Sequence, residues 1–184
     1  MLEISFTSFP TLRTPRLLLR EIVPEDAEAL FRIRSDERVM RHILRPLQQD
    51  VSEAAQLIEV MRNAYAQNES VVWGLSLHGQ PDLIGNIVLW NIDKANHRAE
   101  TGYLLHPDYW RQGLMDEALT AVLEYGFRTL DFHSIEAHTE AENEASGRLL
   151  LKHGFVQEAW FRENVLFEGR FHDMKVYGKI NPWH

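Results

Sequence analysis

Two hydrophobic rhythms run along this chain, one with the period of a strand and one with that of a helix. The apolar run Leu17, Leu18, Leu19 leading through Arg20 and Glu21 to Ile22, bounded upstream by Pro15, predicts a first strand. Pro24 suits the first turn of a helix, and Glu25, Asp26 and Glu28 complement its dipole. Ala27, Leu30, Phe31 and Arg34 carry the helical spacing to about Asp36. A polar connection, 41–49, leads to Asp50, which with Glu53 resembles a capping box. Leu57, Ile58, Met61 and Tyr65 give the helix that follows an apolar face. Strands are predicted over 71–77, 83–93 and 97–105, the first two joined by the turn-rich His78-Gly79-Gln80-Pro81-Asp82, and they read as an antiparallel meander. Beyond Pro107 come a helix over 113–128, a strand over 135–139 and a helix over 143–153 stopped by Gly154. A long hairpin of 155–167 and 170–180 turns at Glu168-Gly169. The order β-α-α-β-β-β-α-β-α-β-β predicts one α/β (α+β) domain over 1–184, with a mostly antiparallel sheet flanked by helices.

Composition narrows the function without naming it. Hydrophobic residues make up 45% and charged residues 25%, ordinary values for a chain with a packed core. There is no cysteine, which excludes disulfides, thiolate metal sites and an acyl-cysteine intermediate. A formal net charge of -8 argues against nucleic acid as a partner, and Arg13, Arg16 and Arg20, the nearest thing to a basic cluster, are expected to flank or line a strand. No apolar run reaches the ~18 residues of a membrane span, and the N-terminus lacks the pattern of a signal peptide, so a cytoplasmic location away from membranes is expected.

The segment from Gly102 to Leu119, Gly-Tyr-Leu-Leu-His-Pro-Asp-Tyr-Trp-Arg-Gln-Gly-Leu-Met-Asp-Glu-Ala-Leu, is the most informative. A strand ends near Pro107 and a helix begins near Gly113, so the short turn between them leaves backbone N–H groups pointing outwards. Such a helix start binds phosphate through those donors and its dipole. Gly113 permits close backbone approach, and Arg111 adds charge-assisted contacts. By itself the pattern is more often that of a plain turn, with Tyr109 and Trp110 in the core.

This segment resembles the CoA-binding motif of the GNAT acetyltransferases, particularly their RimJ/RimL-like branch, which acetylates ribosomal-protein N-termini. Leu12-Arg13-Thr14-Pro15-Arg16-Leu17-Leu18-Leu19-Arg20 is similar to the branch's opening, residues 98–105 to its central strand, and residues 141–155 to its later CoA-contacting helix and strand start. The matches follow in order from Leu12 to about Ile180. The resemblance implies the GNAT acyl-CoA N-acyltransferase fold, acetyl-CoA as donor and a primary amine as acceptor. Tyr103, Leu104, Leu105 and His106 would meet the pantetheine arm, and Arg111, Gln112, Gly113, Leu114, Met115 and Asp116 the pyrophosphate. Asn143 would face the pantetheine, and Ser146 would lie near the thioester sulfur. Two positions depart from the superfamily pattern: Trp110 stands where Gln or Arg is expected, though it is common in this branch, and Met115 stands where a small residue is expected and would narrow the space beside the pyrophosphate.

Acetyl transfer needs a base for the amine and an acid for the thiolate. Glu100, on the strand leading to the CoA-contacting backbone, is the leading base; its alternatives are an exposed strand glutamate paired with Arg98, or a water relay. Ser146 is the leading acid, against a hydroxyl bonding its own helix, with Tyr125 and Tyr103 as rivals. His138 and Asp173 are candidate substrate contacts, each with an ordinary structural alternative. No HExxH or paired His/carboxylate spacing appears, so no metal is expected. The expected reaction is direct transfer in a ternary complex, with a protein N-terminal α-amine as acceptor. A small amine such as a polyamine, an aminoglycoside or an amino acid derivative is the alternative, and a non-catalytic CoA-binding module is another. A homodimer is left open.

Overall fold

Eight strands form one mixed sheet in the order β1-β2-β3-β4-β5-β6-β8-β7 in a computed structural model that describes residues 2 and 4–183. They are β1 (Leu12–Arg13), β2 (Leu17–Glu21), β3 (Val71–Leu77), β4 (Gly85–Asp93), β5 (Arg98–Leu105), β6 (Ser134–Glu140), β7 (Val156–Phe167) and β8 (Arg170–Ile180). The helices are α1 (Ala27–Arg34), α2 (Glu37–Met40), α3 (Val51–Ala66), α4 (Leu114–Glu124) and α5 (Glu144–Lys152). The expected fold class is correct, and β3, β4 and β5 pair as the antiparallel meander read from their alternation.

The period-2 pattern sorts side chains onto two faces. Leu17, Leu19, Trp73, Leu75, Ile87, Leu89 and Ile135 pack against α4 and α5 through Ala118, Leu119, Val122 and Leu150. On the other face, Ile22, Leu83 and Leu104 meet α1 and α3 through Leu30, Ile33, Ala54 and Ile58. A sheet covered on both faces buries Trp73 completely, and its indole N–H donates to the Pro10 carbonyl at 2.6 Å.

Several elements differ in detail from the sequence expectation. The helix expected over 24–36 is broken: Pro24–Asp26 form a 3₁₀ turn before α1, and α2 follows as a separate helix. Asp26 accounts for the tight start, since its carboxylate accepts from the Val23 N–H at 2.9 Å and takes both ends of the Arg20 guanidinium at 2.7 and 2.8 Å. Asp36 caps the restart by accepting from the Arg38 N–H at 2.8 Å. Glu53, the distal half of the predicted box, reaches the N–H of Gln49 rather than that of the cap Asp50. The helix expected over 113–128 is α-helical only to Glu124 and ends in a π-helical turn, Tyr125–Thr129. The predicted hairpin turn holds, with φ of +48° at Glu168 and +76° at Gly169.

Candidate active site

The site arises where the sheet comes apart. β5 and β6 run parallel but pair only from Arg98–Ser134 to Glu100–Glu136. Beyond that point β5 stays with β4 as far as Leu105, and β6 stays with β8 as far as Glu140. The backbone edge of β5 facing the gap therefore lacks a strand partner over Tyr103 to Leu105. A cleft of about 1000 Å³ opens at this end, lined by Tyr103, Leu104 and Leu105, by the start of α4, by the start of α5 and by α2 with its following residues to Ile43.

α4 begins at Gly113, whose φ of +73° and ψ of 12° lie in the left-handed region. A side chain would be strained there, and no side chain caps the helix, so its first turn, which lines the cleft, has N–H groups without a side-chain acceptor. Arg111 also has a positive φ, +58°, and its exposed side chain lines the same space. The turn is braced from outside. Arg16 donates through Nε to Glu117 at 2.7 Å and through Nη1 to the Gln112 carbonyl at 2.8 Å, and the Thr14 hydroxyl donates to the same Glu117 carboxylate. The indole of Trp110 donates to the Leu105 carbonyl at 2.7 Å, joining the turn to the end of β5. Asp116, an acid where an anion is expected, is occupied by Lys152 at 2.8 Å and His153 at 2.9 Å. These bonds, led by that from Lys152, hold its carboxyl below the usual value of 3.8.

α5 begins differently. Asn143 caps it, its Oδ1 accepting from the Ser146 N–H at 3.1 Å, so this helix presents a side chain to the cleft rather than a backbone donor. The Ser146 hydroxyl lies 2.8 Å from the Tyr103 phenol. Burial pushes the Tyr103 phenol up to about 12 against the opposing bond to Ser146, so it stays protonated at neutral pH. Tyr177 packs beneath this pair; a Cβ on Gly147 would stand 2.8 Å from its hydroxyl, so only glycine lets α5 sit this close.

The remaining sequence candidates are distributed unevenly. Leu104, Leu105, Gly113, Leu114, Met115 and Asn143 all line the cleft, Met115 with part of its side chain against the core. His106 and Gln112 stand in the same turn but bond within it, His106 accepting from the Asp108 N–H at 3.3 Å and Gln112 donating to the Asp108 carbonyl at 2.9 Å. Glu100 lies at the closed end of the gap, three residues and so ~10 Å along β5 from Tyr103. It clusters there with Glu136 and His138, their ligand atoms all within 4.8 Å of one another. Burial raises the Glu100 carboxyl while His138 pulls it back down. Arg98 pairs with Glu136 at 3.8 Å rather than with Glu100. Asp173 spans the β7–β8 hairpin, accepting from the Trp160 indole and the Glu163 N–H at 2.8 Å each. Tyr125 packs edge-on to Trp73 in the core.

Three features were not anticipated from sequence: the α2 wall with Arg38, Arg41 and His42, the buried Glu140, and the Arg16 brace. Arg41 and His42 fell inside the segment read as a polar connection, and Arg38 lay just before it, between that segment and the preceding helix. The period-2 run of Glu136, His138 and Glu140 on one face of β6 was the available signal for the second.

The model of the acetyltransferase (GNAT) domain family matches residues 16–156. An uncharacterized N-acetyltransferase of Bacillus subtilis (strain 168), YoaA, is 35% identical, covering 95% of this chain and 98% of its own. The [ribosomal protein uS5]-alanine N-acetyltransferase of Escherichia coli (strain K12) is 28% identical over 93% of this chain and 91% of its own. A spermidine N(1)-acetyltransferase of Vibrio cholerae is 24% identical over 87% of this chain and 90% of its own. The crystal structure of a GNAT-family acetyltransferase from Bacillus anthracis superposes with a TM-score of 0.83 at 27% identity, covering 94% of this chain and 99% of that one.

Proposed function

Because the chain belongs to the GNAT acetyltransferase family and its reaction is acetyl transfer from acetyl-CoA to an amine, we propose that its acceptor is the α-amine at a protein N-terminus. One observation carries this reading. The acceptor side of the cleft, along α2 and the residues after it, carries Arg41, together with Arg38 held by Asp36 at 2.5 Å, against the one lining acid Glu37. Of the other acids on the cleft wall, Glu142 is paired with Arg170, Glu144 with Arg148 and Asp116 with Lys152. A polyamine brings several positive charges and needs unpaired acids, whereas a peptide brings one charge and a backbone able to accept from arginine. The uS5-alanine relative acts on such an amine.

The residues fit acetyl-CoA in this orientation. The uncapped N–H groups after Gly113, with Arg111, match a pyrophosphate, and the open edge from Tyr103 to Leu105 offers backbone partners to a pantetheine amide. Acetyl-CoA supplies the activated acetyl group. The protein's part is to orient the two substrates and to protonate the departing sulfur. The Tyr103–Ser146 hydroxyl pair is the donor in this reading: the phenol stays protonated at neutral pH and, being a weak acid, passes its proton to the sulfur only as the surplus proton from the acylated nitrogen replaces it.

The test is a panel with acetyl-CoA, read by release of free thiol: peptides beginning with alanine or serine, spermidine, and an aminoglycoside. Turnover is expected to be highest with the peptides. Turnover of spermidine with inert peptides would reject the α-amine.

A further inference from the structure

We propose that His42, held by Glu140, is the general base that takes the proton from the acceptor ammonium. The inference rests on the acetyl-transfer reading above.

Glu140 ends β6 and is only 3% exposed, yet among the described residues it is paired with no lysine or arginine. Its partners are two imidazoles: His42 Nδ1 at 2.7 Å from one oxygen and His172 Nδ1 at 3.5 Å from the other. A buried carboxylate can only accept, so the short contact keeps the hydrogen on Nδ1 of His42 and leaves Nε2 with its lone pair. His42 lines the cleft with a quarter of its side chain, 26%, exposed, and no group among the described residues is bonded to Nε2. A carboxylate behind a ring whose other nitrogen faces a substrate cleft is the arrangement that makes imidazole an effective base.

Position supports this assignment. Counting on from the last β5–β6 pair, Glu100–Glu136, places Glu140 across the gap from Leu104, at the open end of the splay. Leu104 faces α1 and α3, whereas Leu105 faces α4. His42 thus stands on the α1–α3 side of the gap, while Ser146, on α5, stands with Tyr103 on the other side. Base and acid occupy opposite faces of the slot, so one faces the entering nitrogen and the other the departing sulfur of a single tetrahedral centre. Glu100 lies four residues below Leu104, so ~13 Å back along the strand towards the closed end.

The step balances as follows. His42 Nε2 takes one proton from R–NH₃⁺ and passes it to solvent. The freed nitrogen lone pair forms the C–N bond, and the C–S bond breaks with its electron pair on sulfur. The Tyr103–Ser146 pair protonates that sulfur, and the remaining surplus proton on nitrogen replenishes the pair. Glu140 touches no substrate and acts as a positioning residue.

Two readouts test the assignment. With the panel peptide that the parent turns over fastest, His42→Ala is expected to lower kcat by 10²–10⁴-fold, with acetyl-CoA affinity unchanged and partial rescue by added imidazole. Glu140→Gln presents an amide donor to Nδ1, so it should flip the ring and cost about as much; Glu140→Asp should recover part of the rate. The double variant should be no worse than either single one. The second readout needs no acceptor: ¹⁵N NMR of His42 is expected to show Nδ1–H in the parent and Nε2–H in Glu140→Gln. A His42→Ala enzyme at the parent's rate overturns the base while leaving acetyl transfer intact, and a 10²-fold loss in Glu100→Gln alone would move it to Glu100. An Nε2–H ring in the parent overturns the proposal whatever the panel gives. Parent enzyme inert towards every amine would instead defeat the acetyl-transfer reading. If Glu140→Gln fails to fold, His42→Gln at the cleft surface decides.

Discussion

Three helices of this protein begin in three ways. α3 starts under Asp50, whose Oδ1 accepts from the N–H groups of Ser52 and Glu53 at 2.7 and 3.3 Å. α5 starts under Asn143, which accepts from the Ser146 N–H. α4 starts at a left-handed glycine with no side-chain cap. The capped α3 start lies outside the cleft, and the other two lie within it. A cap satisfies orphan donors and stabilises the helix by about 1 kcal/mol, so leaving one off sacrifices stability unless another acceptor is supplied. At α4 that acceptor is the expected pyrophosphate. At α5 the cap frees the first turn to hold a hydroxyl in place instead.

The comparison can be broken by experiment, beginning with the side chain that α5 holds. Removing both hydroxyls, Tyr103→Phe with Ser146→Ala, should lower kcat by 10²–10⁴-fold and leave acetyl-CoA affinity within about threefold, because the pair acts on charge that develops during the reaction. Each single change should cost only ~10-fold, since the partner hydroxyl remains. Steady-state kinetics with calorimetry separates the two effects, and a loss confined to KM would contradict the role.

At α4, Gly113→Val should weaken acetyl-CoA by roughly 100-fold. A β-branched residue is strained at φ +73°, and one or two charge-assisted N–H contacts are each worth ~1.5–3 kcal/mol. The matching control is Asp50→Ala, which should lower stability in urea by removing the cap and leave binding unchanged. Equal binding by Gly113→Val and the parent would mean that the open start of α4 is not the phosphate site.

Asp116 sharpens the same contrast through pH. Its folded carboxyl is held below 3.8, first by the bond from Lys152. The stability it contributes is therefore present above about pH 4 and is lost as pH falls through the lowered folded value. Asp116→Asn should remove that part of the acid limb in denaturation curves taken from pH 6 to 2. An unchanged acid limb would show that the Lys152 and His153 contacts contribute nothing in solution. The smallest effect is expected from Met115→Ala, a few-fold gain in acetyl-CoA affinity as the cleft beside the α4 start widens. A loss would mean that its packing against the core outweighs the space gained.

The alternation of Leu17, Leu19, Trp73, Leu75, Ile87 and Leu89, the cap at Asp50 and the stop at Gly154 were all legible in the sequence, because they depend on neighbours within a few residues. So was the turn from Tyr103 to Asp116, since a strand end, a glycine and a helix start lie in one continuous stretch. The break at Asp26 and the π-helical turn after Glu124 were not legible. The first rests on Asp26 turning back onto Val23 and Arg20, which the helical spacing does not encode, and the second contains Gly126, where a Cβ would stand 2.9 Å from Ile135 of the sheet. The splay of β5 from β6 belongs to the tertiary structure alone, because no residue in either strand records where its partner departs. The same holds for the meetings of His42 with Glu140, 98 positions apart, of Arg16 with Glu117, 101 apart, and of Tyr103 with Ser146, 43 apart. Local chemistry determined the elements and the turn before α4. Which acids, bases and hydroxyls face one another was decided only when the sheet brought distant strands together.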